Sequence, residues 1–130
     1  MPKYLLFFVA LSWTGIVAYF CLVQSNDLPV VEIPNIDKYI HTFFHLGFTF
    51  FWFLFFCKKL KSESIFKPLL ISVLLSIGFG LTIELAQEIF TTTRHADILD
   101  VTANFVGAML AVFVAIICNK YNILKIVVKN

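Results

Sequence analysis

Residues 94–111 read Arg94-His95-Ala96-Asp97-Ile98-Leu99-Asp100-Val101-Thr102-Ala103-Asn104-Phe105-Val106-Gly107-Ala108-Met109-Leu110-Ala111. Asp97, Asp100, Asn104, Gly107 and Ala111 recur at steps of three and four, which puts them on one face of a helix. The half of that face nearest Asp97 is polar, and the far half is small. The rest of the stretch is apolar, and its continuation to residue 118 is long enough to cross a bilayer. A charged side chain near a bilayer centre costs about 2.5–3.5 kcal/mol on insertion scales, so these acids need partners or a task. The pattern predicts a membrane helix that turns its polar and small face onto neighbouring helices.

The rest of the chain has the same character. It has 130 residues, 60% of them hydrophobic and only 14% charged, with 16 Phe. Ordinary soluble domains carry about 25% charged residues. Mean hydropathy is +0.90. Three further segments, about 4–24, 37–57 and 66–90, join 97–118 as candidate spans. The first resembles a signal peptide in carrying Lys3 ahead of an apolar run. That run is longer than a signal core and no Ala-x-Ala site follows, so it reads as a retained anchor. Pro29 and Pro34 mark an irregular first connection, and Pro68 suits the first turn of the third helix. The expected fold is an all-α integral membrane four-helix bundle forming a single domain over 1–130.

Charge segregates along this pattern. Eight of the ten basic residues (Lys3, Lys58, Lys59, Lys61, Lys67, Lys120, Lys125, Lys129) fall at one set of span ends, opposed there only by Glu63. Lys38 and Arg94 fall at the other set, with the remaining seven acids. The positive-inside rule then places both termini and the 58–67 loop in the cytoplasm. The 25–36 and 91–96 loops face outward.

The unusual polar residues therefore share one side of the membrane. Asp37, His41, His45 and Thr49 step by four along the second span. Ser76, Gly80, Glu84 and Gln87 line a face of the third. Glu84, Asn104 and His45 each lie about 9–12 Å from the outer end of their helix at 1.5 Å per residue. Three polar faces at one depth predict a shared outward cleft.

Each residue admits a chemical and a structural reading. Glu84 is an intramembrane carboxylate, suited to act as base, proton carrier or cation ligand, or else to balance Lys38 or Arg94. His41 is a candidate general base or acid, or an interhelical hydrogen-bonding group. His45, deeper among aromatics, reads as structural. Lys38 and Arg94 could hold a phosphate or carboxylate beside two helix N-termini. Equally, Asp37 and Asp97 could cap those helices while the two cations balance acids. Asp97, Asp100 and Asn104 with Glu84 offer oxygen ligands for a divalent cation, although the spacing alone names no metal and no cofactor. Gln87 is expected to bridge acids in this network, and Glu88 to point away from Glu84. Cys21, Cys57 and Cys118 lack disulfide or metal spacing and read as packing residues. The aromatic run from Phe48 to Phe56 reads as lipid-facing and packing surface. No nucleic-acid patch, phosphate loop or nucleophile elbow is present.

The ordered set Asp37-Lys38-x-x-His41, Glu84-x-x-Gln87 and Arg94-x-x-Asp97-x-x-Asp100-x-x-x-Asn104-x-x-Gly107 resembles the VanZ-like family of small bacterial membrane proteins. The resemblance covers about residues 37–111. The chain departs from it at Thr93 and Ala111, where the family often has glycine. The likeness implies a multi-pass protein of the bacterial cytoplasmic membrane, in a family named for a member linked to teicoplanin resistance. The expected function is binding of, or action on, a cell-envelope lipid or lipid-linked intermediate at the cleft, with a possible effect on glycopeptide susceptibility. His41 and Glu84 are then the candidate catalytic residues. Asp37, Lys38, Gln87, Arg94, Asp97, Asp100 and Asn104 are the candidate ligand-binding residues. A small proton- or ion-coupled carrier is the alternative.

Overall fold

The computed structural model describes residues 1–23, 25–27, 32–61 and 64–129. Gln24, Pro29 and Glu63, which enter the sequence reading, lie outside them, as does the Lys129 side chain. The described residues form helices joined by short connections, with no strand among them. Helix α1 spans Lys3–Leu22, α2 Ile36–Leu60, α3 Phe66–Phe90 and α4 Ile98–Lys120. A short 3-10 turn at Ser25–Asp27 follows α1, and a π-helical turn at Lys125–Lys129 follows α4. All four long helices have the length and composition to cross a membrane.

The boundaries follow from local chemistry. Pro68 sits in the first turn of α3, where its missing N–H leaves no helical hydrogen bond unmade. Lys58 and Lys59 occupy the last turn of α2, favourably placed against the negative end of the helix dipole. That helix runs three residues past its expected end. At the start of α4, Asp97 adopts an extended backbone and its carboxylate accepts the Leu99 N–H at 2.8 Å. Asp37 does not play the same part on α2. Asn35, in left-handed conformation (φ 56°), precedes that helix without a side-chain cap, and Asp37 lies inside the first turn.

Two ends of the bundle can be distinguished. At the basic end, one apolar cluster gathers Leu6 from the start of α1, Phe53–Phe55 from the end of α2, Leu69 from the start of α3 and Ala115 from the end of α4. The Met1 ammonium donates to Val127 O at 2.9 Å, and Lys58 Nζ to Val128 O at 2.6 Å. At the opposite end, the start of α2, the end of α3 and the start of α4 meet through polar groups. Helices consecutive in sequence are thus antiparallel, while α2 and α4 run parallel.

Helix α2 touches all three others and packs most extensively on α4. That pair can approach closely because α4 offers Ala103, Gly107, Ala111 and Ala115, all buried, at steps of four. A Cβ at Gly107 would lie 2.2 Å from Thr42 O, so the backbones are in contact there. The central place of α2 also changes the reading of its aromatic run. Phe48 and Phe53 are 2% and 0% exposed, and Phe48 stacks on Phe79 at 4.6 Å. The run is mostly interhelical packing. Phe50, Phe51, Trp52 and Phe56 stay partly exposed, and the larger outward surface comes from residues such as Leu74, Leu85, Ile89 and Phe113. The three cysteines are free and pack among apolar neighbours.

Candidate functional site

The polar faces of α2, α3 and α4 converge at the end opposite the basic loop. Lys38 from α2 is the hub of the outermost layer. Its Nζ lies 2.6 Å from Asp37 Oδ2, from Asp97 Oδ2 and from Asp100 Oδ1. An ammonium has three N–H donors, so these three carboxylates saturate it. Lys38 is therefore turned onto acids and has no donor left for an incoming anion. Its hydrogen bond to Asp97, joined by the Leu99 N–H, holds the Asp97 carboxyl below the usual aspartate range.

One turn deeper, His41 bridges two α4 side chains. Its Nδ1 lies 3.0 Å from Asn104 Oδ1, and its Nε2 lies 3.7 Å from Asp100 Oδ2. A carbonyl oxygen can only accept, so Nδ1 carries a proton in this pairing, and in the neutral imidazole the lone pair is on Nε2. His41, Asp100 and Asn104 are all buried. Thr42 secures the same crossing from beside them, its hydroxyl 2.9 Å from Lys38 O and 3.2 Å from Ala103 O.

Glu84 enters from α3. Its Oε2 accepts the Asp97 N–H at 3.0 Å, which places a carboxylate at the positive end of the α4 dipole. Its Oε1 is buried and has no hydrogen-bond partner. One ligand atom each from His41, Glu84 and Asp100 lies within 4.8 Å of the other two. Four carboxylates (Asp37, Glu84, Asp97, Asp100) face one ammonium, a formal −3 with His41 neutral.

The third layer is His45, whose Nδ1 lies 2.8 Å from Ser76 Oγ, between Phe48 and Phe79. Gly80 makes this possible: a Cβ there would lie 3.0 Å from both Asn104 Nδ2 and His45 Cε1. Asn104 Nδ2 is buried without a partner. Asn104 is also one of the residues around a groove of about 270 Å³ between α3 and α4, lined further by Ser76, Gly80, Leu81, Val101 and Phe105.

Two residues stand apart from the cluster. Gln87 bridges no acids among the described residues. Its Nε2 donates 2.8 Å to Cys21 O, closing the exposed carbonyl end of α1. Arg94 lies in the loop between α3 and α4. Among the described residues it forms no ion pair, and its Nε is buried without a partner. Contrary to the expectation, Glu88 points the same way as Glu84, onto the residue next to Asp97, and fastens that loop. Its Oε2 accepts the Ala96 N–H at 2.9 Å and lies 3.5 Å from His95. Thr42, and Thr91 with its hydroxyl on Gln87 O and Arg94 O, are supporting residues that the sequence reading passed over. The one signal for Thr42 was its position four residues after Lys38.

The fold and site define a multi-pass membrane protein of four helices, with a buried acid–imidazole cluster at one end of the bundle. The VanZ/LLP1 family model matches residues 4–119, and the chain belongs to that family. No curated protein and no solved structure matches the chain.

Proposed function

We propose that this protein lies in a bacterial cytoplasmic membrane with both termini inside, and binds the head group of a cell-envelope lipid or lipid-linked intermediate at the outer end of its bundle. The basic residues at the terminal end of the bundle support the orientation through the positive-inside rule. The observation that carries the binding reading is the α3–α4 groove, apolar along Leu81, Val101 and Phe105 and lined also by Asn104, whose buried Nδ2 has no partner. A tail would lie along the apolar wall. A small rotation of the Asn104 amide toward the groove would let an acceptor oxygen of the head group satisfy this buried donor. Arg94, which forms no ion pair among the described residues, stands in the loop above α4 as a second donor. Shielding or altering such a lipid would change access of lipophilic glycopeptides such as teicoplanin to the envelope.

Native mass spectrometry of detergent-purified protein tests this with a panel of labelled envelope lipids. Leu81→Trp, on the groove wall and half exposed, should lower lipid retention about tenfold, the effect of 1.4 kcal/mol. Leu85→Trp, one turn along α3 and outside the lining, should leave retention unchanged. Equal retention by both variants would remove the groove from the account.

The carrier reading has one observation in its favour. Thr49 and Ser72, each one turn nearer the basic end than His45 and Ser76, are also fully buried. Below them the track meets the apolar Phe53 and Leu69 and stops. Proteoliposomes containing the protein are accordingly expected to show no proton flux driven by membrane potential.

A further inference from the structure

We propose that His41, Glu84 and Asp100 form a binding site for a first-row divalent cation. The three come from three different helices, and one ligand atom of each lies within 4.8 Å of the others. Zinc–nitrogen and zinc–oxygen bonds are about 2.0–2.2 Å, so tetrahedral neighbours stand about 3.3–3.6 Å apart. Contraction by about 1 Å, within reach of side-chain rotation, would close the set onto one ion. One imidazole with two carboxylates favours zinc, iron or manganese over magnesium or calcium, which prefer all-oxygen cages.

Two observations besides the cluster of acids point to a ligand. Glu84 is 4% exposed, and its Oε1 has no partner, although its Oε2 is taken by the Asp97 N–H. A buried, unpaired carboxylate oxygen is expensive unless something positive meets it. His41 is also held in the attitude that a metal-bound histidine requires. Asn104 Oδ1 accepts the hydrogen bond from Nδ1, so in the neutral imidazole the Nε2 lone pair faces Asp100, the usual arrangement in which an outer group fixes the tautomer of a ligating imidazole. Lys38 cannot do the cation's work, because its three donors are already used on Asp37, Asp97 and Asp100. A divalent ion would reduce the formal −3 of the cluster to −1. Three protein ligands leave a coordination position open for water or for an oxygen of a bound molecule. The site goes beyond the lipid-binding reading and does not depend on it.

The test uses protein stripped with chelator and kept in detergent without added lipid, with Zn²⁺ or Mn²⁺ alone as the probe. Wild type should take up one ion per chain in titration calorimetry. X-ray absorption of the zinc-loaded wild type should show nitrogen and oxygen ligands at about 2.0–2.2 Å, including one imidazole, and no sulfur at about 2.3 Å. Glu84→Gln, nearly isosteric, should weaken binding about 100-fold or more. Asn104→Ala should weaken it about 10–100-fold, as loss of an outer-shell partner does, and Asn104→Asp, which keeps the acceptor oxygen, should restore it. No saturable uptake by wild type, a sulfur ligand, or a folded Glu84→Gln that binds as wild type does would each overturn the assignment. Where a variant fails to fold, the absorption spectrum of the wild type decides. Metal binding that survives when lipid retention fails would separate this site from the proposed lipid function.

Discussion

Lys38→Met should destabilise the protein by about 3 kcal/mol, near the lower end of the range for breaking a buried charge pair. The Lys38 ammonium is the meeting point of carboxylates from α2 and α4, each 2.6 Å away. Removing it leaves Asp97 and Asp100 as neighbouring negative charges, with Asp100 only 11% exposed at its side chain. The 21% exposure of Lys38 allows some solvent screening, hence the lower end of the range. Unfolding of purified protein in denaturant reads the change. A double-mutant cycle with Asp100→Asn should recover about 1 kcal/mol or more as coupling, because the second change removes the repulsion that the first exposed. The pH dependence has a definite sign. Asp97 has its folded-state pKa lowered by Lys38, so its contribution is complete above the ordinary aspartate value of about 3.9 and is lost as pH falls through the lower folded value. The penalty of Lys38→Met should therefore shrink in acid. A penalty that is constant between neutral pH and pH about 3 would mean that Lys38 acts through packing of its stem and not through charge.

Gly107→Ala should cost about as much, by a different route. A single methyl there would sit 2.2 Å from Thr42 O and 3.0 Å from Leu46 N. Both obstacles are backbone, so no rotamer change relieves them, and the two helices must separate. Overpacking of this kind typically costs about 1–3 kcal/mol, and a backbone clash belongs at the upper end. The displacement would reach the site, since the His41–Asn104 and Lys38–Asp100 contacts span the same pair of helices. Gly78→Ala is the matched control. Nothing lies within 4 Å of a Cβ at Gly78, and replacing a helical glycine by alanine gains about 0.5–1 kcal/mol. The expected pair of results is a large loss at Gly107 beside no loss at Gly78. Equal stability of the two variants would mean that α2 and α4 do not touch at Gly107.

These expectations show what the two levels of description contribute. The spans were legible because hydropathy and length are local properties: α3 runs over the predicted 66–90, and the other helices differ by at most three residues at either end. The inward faces were legible for the same reason. The helical period alone aligns His41 with His45 and Asp100 with Asn104, whatever the helices pack against. Partner choice was not. Gln87 shares the face of Glu84, yet it reaches the end of α1, because the last turn of α3 lies beside Cys21 and the acids lie nearer α4. Arg94 is in sequence next to the cluster but makes no ion pair with it among the described residues. The aromatic run of α2 could not be assigned to protein or lipid until α2 proved to be the central helix.

By itself, then, the sequence determined four membrane-crossing helices, the segregation of charge between their ends, and the set of polar residues turned inward. Only the tertiary structure decided that Lys38 is saturated by three acids, that His41, Glu84 and Asp100 converge, and that Glu84 Oε1 and Asn104 Nδ2 are left unpaired. The reason is physical. A helical face follows from the period of one segment, whereas a hydrogen bond between helices depends on the distance and crossing of two. That distance is set here by the backbone contact of Gly107 with Thr42; the small face of one segment announced a close approach, and only the packed pair shows with what.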